Sequence, residues 1–98
     1  RRKPLDDDAF YQFFYASTDL PADIPRRLRP IYGDFFGMDP AKLHPTDRPP
    51  AMDDIDTVDL VVEIEHEFAV TIPDEHAEQL DGSFESIVHY LAARRLVA

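Results

Sequence analysis

Carboxylates are the side chains of this sequence with the widest capacity for chemistry. Aspartate and glutamate supply 20 of the 98 residues. Such groups act as general acids and bases, and they bind hard cations such as Ca²⁺ and Mg²⁺. The best mixed cluster joins His66 to Glu63 and Glu67, which could bind a cation on one face of a helix. Because acidic helices produce such clusters by chance, we predict no metal site here.

Nucleophiles and phosphate-binding loops are scarce in this chain. It has no cysteine and only three glycines, and it contains neither a nucleophile elbow nor a glycine-rich phosphate loop. The histidines form no HExxH pair and no other recurring ligand spacing. They are His44, His66, His76 and His89. The hypothesis of a metal-dependent or acid–base enzyme is therefore supported only by the number of carboxylates. We predict no enzymatic activity and no catalytic residue.

Charge and hydropathy narrow the classes of partner. The formal net charge is −10, which repels nucleic-acid phosphates and attracts a basic protein surface. No apolar run approaches the roughly 20 residues of a membrane span. The start of the chain lacks the apolar segment of a signal peptide, so we expect a cytoplasmic location. A chain of 98 residues forms one small core, and its oligomeric state is left open.

The carboxylates are concentrated on predicted helices in the second half of the chain. An acidic helix is predicted at about Asp54–Phe68, followed by a short extended segment that ends at Pro73. The predicted apolar face of this helix comprises Ile55, Val58, Leu60, Val61, Val62, Ile64 and Phe68. Asp74 is predicted to cap a short helix at Glu75–Leu80. A last helix is predicted to be capped by Ser83, with Phe84, Ile87, Val88 and Leu91 directed inward.

Aromatic residues dominate the predicted first helix. Asp8 is predicted to cap a helix that begins near Ala9. The spacing predicts one apolar stripe formed by Phe10, Phe13 and Phe14, with Tyr11 beside it. Two interpretations follow, namely an extra helix packed on the rest of the molecule and an exposed patch that contacts a partner or a second copy. We favour the packed helix.

Prolines punctuate the next part of the sequence. Asp23 and Pro25 are predicted to open a second helix, in which Pro25 occupies the first turn. Pro30 falls inside the helical pattern, and it either kinks the helix or displaces its start. Gly37 is predicted to end the helix. Residues 38–52 contain four prolines and are predicted to form one long loop.

Residues 53–80 resemble helix II, the following loop and helix III of acyl carrier proteins. They read DDIDTVDLVVEIEHEFAVTIPDEHAEQL, and the flanking segments IYGDFFGM and SFESIVHYL are similar to the end of helix I and to helix IV of that family. The resemblance covers about residues 26–91. It implies an all-α fold, a small helical bundle of three long helices and a short one, here with an extra N-terminal aromatic helix. We therefore divide the chain into an extension at 1–25 and a carrier-like domain at 26–98.

The resemblance also identifies a position at which this chain departs from the family. In acyl carrier proteins a serine at the start of helix II carries 4'-phosphopantetheine, and Asp54 stands at that position here. A carboxylate would give only a labile acyl phosphate, whereas it is well suited to cap a helix. We therefore expect an unmodified chain without a cofactor. The alternative is a genuine acyl or peptidyl carrier protein modified with 4'-phosphopantetheine.

Acidic residues of helices II and III in this family dock onto basic patches of partner enzymes. The matching positions here are Asp53, Asp56, Asp59, Glu65, Asp74 and Glu78. The resemblance implies a basic partner surface, such as that of a synthase or an acyltransferase. Simple solvation of exposed helix faces is the competing interpretation. The expected function is a non-catalytic, acidic interaction or regulatory protein of fatty-acid, polyketide or lipid metabolism.

Overall fold

The computed structural model describes residues 3–48, 54–80 and 82–97, and the described part of the chain contains helices and no strand. The α-helices are α1 (Asp7–Phe14), α2 (Asp23–Phe36), α3 (Asp54–Phe68), α4 (Asp74–Gln79) and α5 (Phe84–Val97), with a 3₁₀ turn at Pro40–Lys42 after α2. Three of these helices have 14 or 15 residues, and α4 has six. The predicted all-α bundle is confirmed, including the short helix and the extra N-terminal one.

The core lies where the three long helices meet. Each contributes residues at helical spacing that are at most 8 % exposed, namely Ile24, Leu28 and Tyr32 from α2, Leu60, Ile64 and Phe68 from α3, and Phe84, Ile87, Val88 and Leu91 from α5. Burial of each aliphatic side chain contributes about 1.5–3 kcal/mol. The inward residues predicted for α5 are confirmed. The prediction for α3 is wrong at Val58 and Val62, which are 58 % and 40 % exposed.

Helix α1 packs on the bundle through aromatic residues, of which Phe10 is the most deeply buried, and through the buried Arg29. Phe10 is fully buried, and its ring contacts Phe84 edge-on at a centroid distance of 5.6 Å. The guanidinium of Arg29 lies 4.5 Å from the centre of the Phe10 ring and donates to Asp7 Oδ1 at 2.7 Å. Phe13 is 74 % exposed, so the predicted stripe of three phenylalanines is wrong there. The favoured interpretation, a packed helix, is confirmed for Phe10.

Several helix ends differ from the predictions. Asp6, and not Asp8, caps α1, because its carboxylate accepts from the Ala9 N–H at 2.8 Å. Helix α4 begins at Asp74 after Pro73 and ends at Gln79, so Asp74 is its first residue and not its cap.

Pro30 lies inside helix α2, as one of the two alternatives for this residue requires. The helix runs without a break through that residue, so its start is not displaced. Gly37 ends α2 at a φ of 64°, as predicted. The first residues of α2 precede residue 26, so the predicted domain boundary falls inside a helix.

The segment after α2 caps the N-terminal end of α5. The loop predicted for 38–52 contains the 3₁₀ turn, and residues 49–52 lie outside the described residues. The carbonyl of Asp47 accepts from the Phe84 N–H at 2.9 Å, and the carbonyl of Pro45 accepts from the Glu85 N–H at 2.8 Å. These bonds satisfy amides at the start of α5 that have no partner within the helix. The length of the loop is thus explained in part by its contact with α5.

Ala69, which follows α3, adopts the left-handed conformation with a φ of 54°. The Val70 N–H donates to the Glu65 carbonyl at 3.1 Å, which is the pattern of a helix end that prefers glycine. Ala69→Gly is expected to raise the free energy of unfolding by about 1 kcal/mol, because this conformation costs an L-residue about 1–2 kcal/mol. Urea denaturation would measure the change. Ala93→Gly, on an exposed position of α5, is the control and should lower stability by about 1 kcal/mol.

A candidate partner-binding groove between α3 and α4

The start of α3 is the position that the sequence resemblance matches to the attachment serine of acyl carrier proteins. Asp54 is the first residue of α3. Asp53 lies outside the described residues, as do the side chains of Asp54 and Asp56. The residue type alone decides the chemistry, because Asp54 has no hydroxyl with which to form a stable phosphodiester.

The serine hydroxyls elsewhere in the chain are poorly placed to substitute. The sequence has three serines, of which Ser17 follows α1 on the exposed surface. Ser83 is 3 % exposed, and its Oγ accepts from the Ser86 N–H at 3.2 Å. The Ser86 hydroxyl donates to the Ser83 carbonyl at 2.7 Å. Both therefore serve the first turn of α5, as predicted for Ser83.

A groove of about 600 Å³ lies between α3 and α4. Its apolar walls are formed by Val58, Val61, Val62, Ile72 and Ala77, and three carboxylates complete the lining, namely Glu65, Asp74 and Glu78. We call these three the acidic rim. Val58 and Val62 are the exposed members of this apolar wall. The arrangement is an apolar surface surrounded by negative charge.

The predicted acidic positions separate into different environments. The structure brings Glu65, Asp74 and Glu78 together at the groove, and Asp74 and Glu78 are exposed. Asp59 is exposed on α3 and does not line the groove. The remaining predicted positions, Asp53 and Asp56, are not described at the side chain.

Glu65 has a structural role that its sequence context does not reveal. Its Oε2 accepts from the Ile72 N–H at 2.7 Å, while its carbonyl accepts from Val70. Ile72 is 5 % exposed and anchors the connection between α3 and α4, residues 69–73. Because one carboxylate oxygen is already engaged, Glu65 offers a partner less hydrogen-bonding capacity than Asp74 and Glu78 do.

Arg27 of α2 forms a partly exposed ion pair with the end of α3. Arg27 of α2 donates through Nε to Glu67 Oε2 at 2.8 Å and also to the Glu67 carbonyl, and its guanidinium lies 4.5 Å from the centre of the Phe68 ring. The hydrogen bond to Glu67 is the main reason that the pKa of Arg27 is raised. A cation at the end of α3 also interacts favourably with its carbonyls. Arg27 therefore stabilises the end of α3, and it does not line the groove.

The described residues contain neither a metal-binding cluster nor a membrane-spanning helix. No group of three or more histidine, aspartate or glutamate side chains there could hold a metal ion. No helix among those described combines the length and the hydropathy needed to cross a membrane.

Comparison with known proteins gives one consistent similarity. No protein-family model matches the chain. Acyl carrier proteins from Chlorobium phaeovibrioides and Chlorobium luteolum are each 43 % identical to it over 42 residues, which is 43 % of this chain and 53 % of each relative. The chain thus spans about half the length of the curated relatives it matches. Together with the all-helical fold, this similarity supports an acyl-carrier-like relationship.

Proposed function

We propose that this chain is an acyl-carrier-like module that carries no phosphopantetheine and acts in acyl-chain metabolism by binding a basic surface of a partner protein. The observation that carries the proposal is the α3–α4 groove, in which exposed valines are surrounded by the acidic rim. A synthase or an acyltransferase that accepts acyl carrier proteins is the proposed kind of partner.

The acidic rim gives the proposal its electrostatic component. Asp74 and Glu78 are exposed, and the whole chain carries a formal charge of −10. Complementary charges at the edge of an interface accelerate association and make it sensitive to salt more than they add affinity. The rim is therefore suited to attract and orient a basic surface.

The exposed valines give the proposal its apolar component. Val58 is 58 % exposed and Val62 is 40 % exposed, and both line the groove beside the buried Ile72. Desolvated apolar contacts at the centre of an interface carry much of the binding free energy, while a polar rim surrounds them. An aliphatic or aromatic side chain of the partner, flanked by lysine or arginine, fits this combination.

We propose that the chain carries no 4'-phosphopantetheine because Asp54 stands at the position that matches the attachment serine. A carboxylate at the start of a helix interacts favourably with the helix dipole, by about 0.3–1 kcal/mol. It thereby places a permanent negative charge where the family places a phosphate. A module with such a charge could occupy the carrier site of an enzyme without delivering an acyl group.

Binding to a condensing enzyme that accepts acyl carrier proteins tests the proposal. We expect association that weakens as salt is added. The double variant Asp74→Asn/Glu78→Gln is expected to slow association about three- to tenfold at low ionic strength. The control Glu63→Gln/Glu75→Gln removes the same charge from exposed positions outside the groove lining and should change the rate much less. Equal effects of the two variants, or no binding even at low salt, would argue against a docking role.

A genuine carrier protein is the second candidate, and the similarity to curated acyl carrier proteins favours it. It requires covalent attachment of 4'-phosphopantetheine. Intact mass after incubation with coenzyme A and a promiscuous phosphopantetheinyl transferase separates the two candidates. Our proposal expects no gain in mass beside a fully modified control carrier, and an adduct would establish the second candidate instead.

A further inference from the structure

Three side chains form a hydrogen-bonded chain between α4 and α5, on residues that do not line the groove. Arg94 donates through NH1 to the Tyr90 hydroxyl oxygen at 3.1 Å. The same hydroxyl lies 2.9 Å from Nδ1 of His76 on α4. The rings of His76 and Tyr90 also pack edge to face, with their centroids 5.7 Å apart. We call this Arg94–Tyr90–His76 arrangement the relay.

The hydrogen-bond directions in the relay follow from the chemistry of its members. An arginine has only donors, so the Tyr90 oxygen accepts from Arg94. The Tyr90 hydroxyl hydrogen can then be donated to Nδ1 of His76, which accepts when that nitrogen carries no proton. Arg94 also donates through NH2 to the Thr71 carbonyl at 2.9 Å. One arginine therefore holds both α4, through Tyr90, and the connection that precedes α4.

Helix α4 depends unusually strongly on such contacts. It has six residues, and none of them is buried. Its apolar attachment consists of Ala77 and the following Leu80, which are only partly buried against the core. A helix of this length is not stable alone, so its position is set by the groups that attach it. Any rotation of α4 moves Asp74 and Glu78 relative to α3.

We propose that Tyr90 and Arg94 are positioning residues that latch α4 to α5 and thereby set the spacing of the acidic rim. The proposal rests on the proposed docking function for its biological meaning, but the latch itself is a property of this chain. Tyr90 and Arg94 are assigned no contact with the partner. They act through His76 and Thr71, one on α4 and one just before it.

The variant Tyr90→Phe removes the relay and keeps the ring. Amide hydrogen exchange measured by NMR is expected to accelerate about fivefold in α4, the effect of losing one hydrogen bond. Informative amides are those of Ala77 and Leu80, which donate to the Pro73 and Ala77 carbonyls. Amides of α1 that exchange by local opening, without breaking the bond between Tyr90 and His76, should change little.

The matched control is Tyr11→Phe, because that hydroxyl donates to the Leu20 carbonyl at 2.5 Å, in the N-terminal part of the chain. Both tyrosines are half-buried and both variants lose one hydroxyl. Exchange in α4 that is unchanged by Tyr90→Phe, or accelerated equally by Tyr11→Phe, would overturn the latch.

Two variants of His76 test whether slow exchange in α4 requires a hydrogen-bond acceptor at this position. His76→Gln keeps a side-chain oxygen and should retain most of the slow exchange, whereas His76→Leu should match Tyr90→Phe. Equal effects of both variants would contradict the relay. Binding to the condensing enzyme is measured in parallel, at a temperature at which every variant is folded, and Tyr90→Phe is expected to weaken it about two- to fivefold. If the unmodified chain does not bind, the docking function fails, while the exchange data still decide the latch.

Discussion

Replacing Phe84 with alanine is expected to remove most of the stability of the fold. The side chain is fully buried, and its ring contacts Phe10 at 5.6 Å and Tyr32 at 5.3 Å, edge-on in both cases. Truncation of a buried phenylalanine costs about 3–5 kcal/mol, and each aromatic pair is worth about 0.5–1.5 kcal/mol beyond its buried area. Because a small domain has about 5–15 kcal/mol in total, the variant is expected to be largely unfolded or marginally stable.

Urea denaturation followed by circular dichroism would measure this loss. Phe13→Ala is the matched control, since it makes the same chemical change at a residue that is 74 % exposed. It should change the free energy of unfolding by less than about 0.5 kcal/mol. If the two variants were equally destabilised, Phe84 would not be the centre of the aromatic core.

Replacing Asp54 with serine is expected to turn an unmodified chain into a substrate of phosphopantetheinyl transferase. The serine Oγ would attack the pyrophosphate of coenzyme A, forming the new O–P bond, losing its proton and releasing 3',5'-ADP. The first N–H groups of any helix have no partner within the helix, and such groups favour a bound phosphate. The expected result is one phosphopantetheine on the variant and none on the unaltered chain, both read by intact mass.

Two controls separate the hydroxyl from the loss of charge. Asp54→Ala removes the carboxylate without supplying a nucleophile, and Asp56→Ser supplies a hydroxyl two residues later on the same helix. Neither should be modified. An adduct on either, or a failure of Asp54→Ser beside an active control carrier, would mean that residue 54 is not the position that matches the family serine.

Helix spans were more predictable from the sequence than helix ends. The span of α3 agrees with its prediction because apolar residues recur at helical spacing throughout it. The cap of α1 was misassigned because three consecutive aspartates, Asp6, Asp7 and Asp8, are equally good caps by residue type. In the structure Asp6 is the cap, because its carboxylate accepts from the Ala9 N–H. Local preferences do not distinguish such neighbours.

The candidate site was predictable in its charges and not in its shape. The pattern predicts Val58 and Val62 on an apolar face, but periodicity does not reveal that both are exposed in a groove between two helices. The bond from the Ile72 N–H to Glu65 crosses the end of α3, and the contact between His76 and Tyr90 joins two helices, so helical periodicity predicts neither. Outside the groove, the burial of Arg29, which is 3 % exposed, was equally unpredictable from sequence, since arginine is rarely buried.

The contact between Phe10 and Phe84 has a consequence for the synthesis of the chain. During synthesis, α1 leaves the ribosome long before Phe84 has been added to the chain. The Phe10 ring therefore lacks its contact with Phe84 during that time. A product truncated before residue 84 would expose that ring permanently, together with the face of Tyr32 that Phe84 contacts. Chaperones and proteases recognise such exposed apolar surface, so incomplete chains of this protein should be removed efficiently.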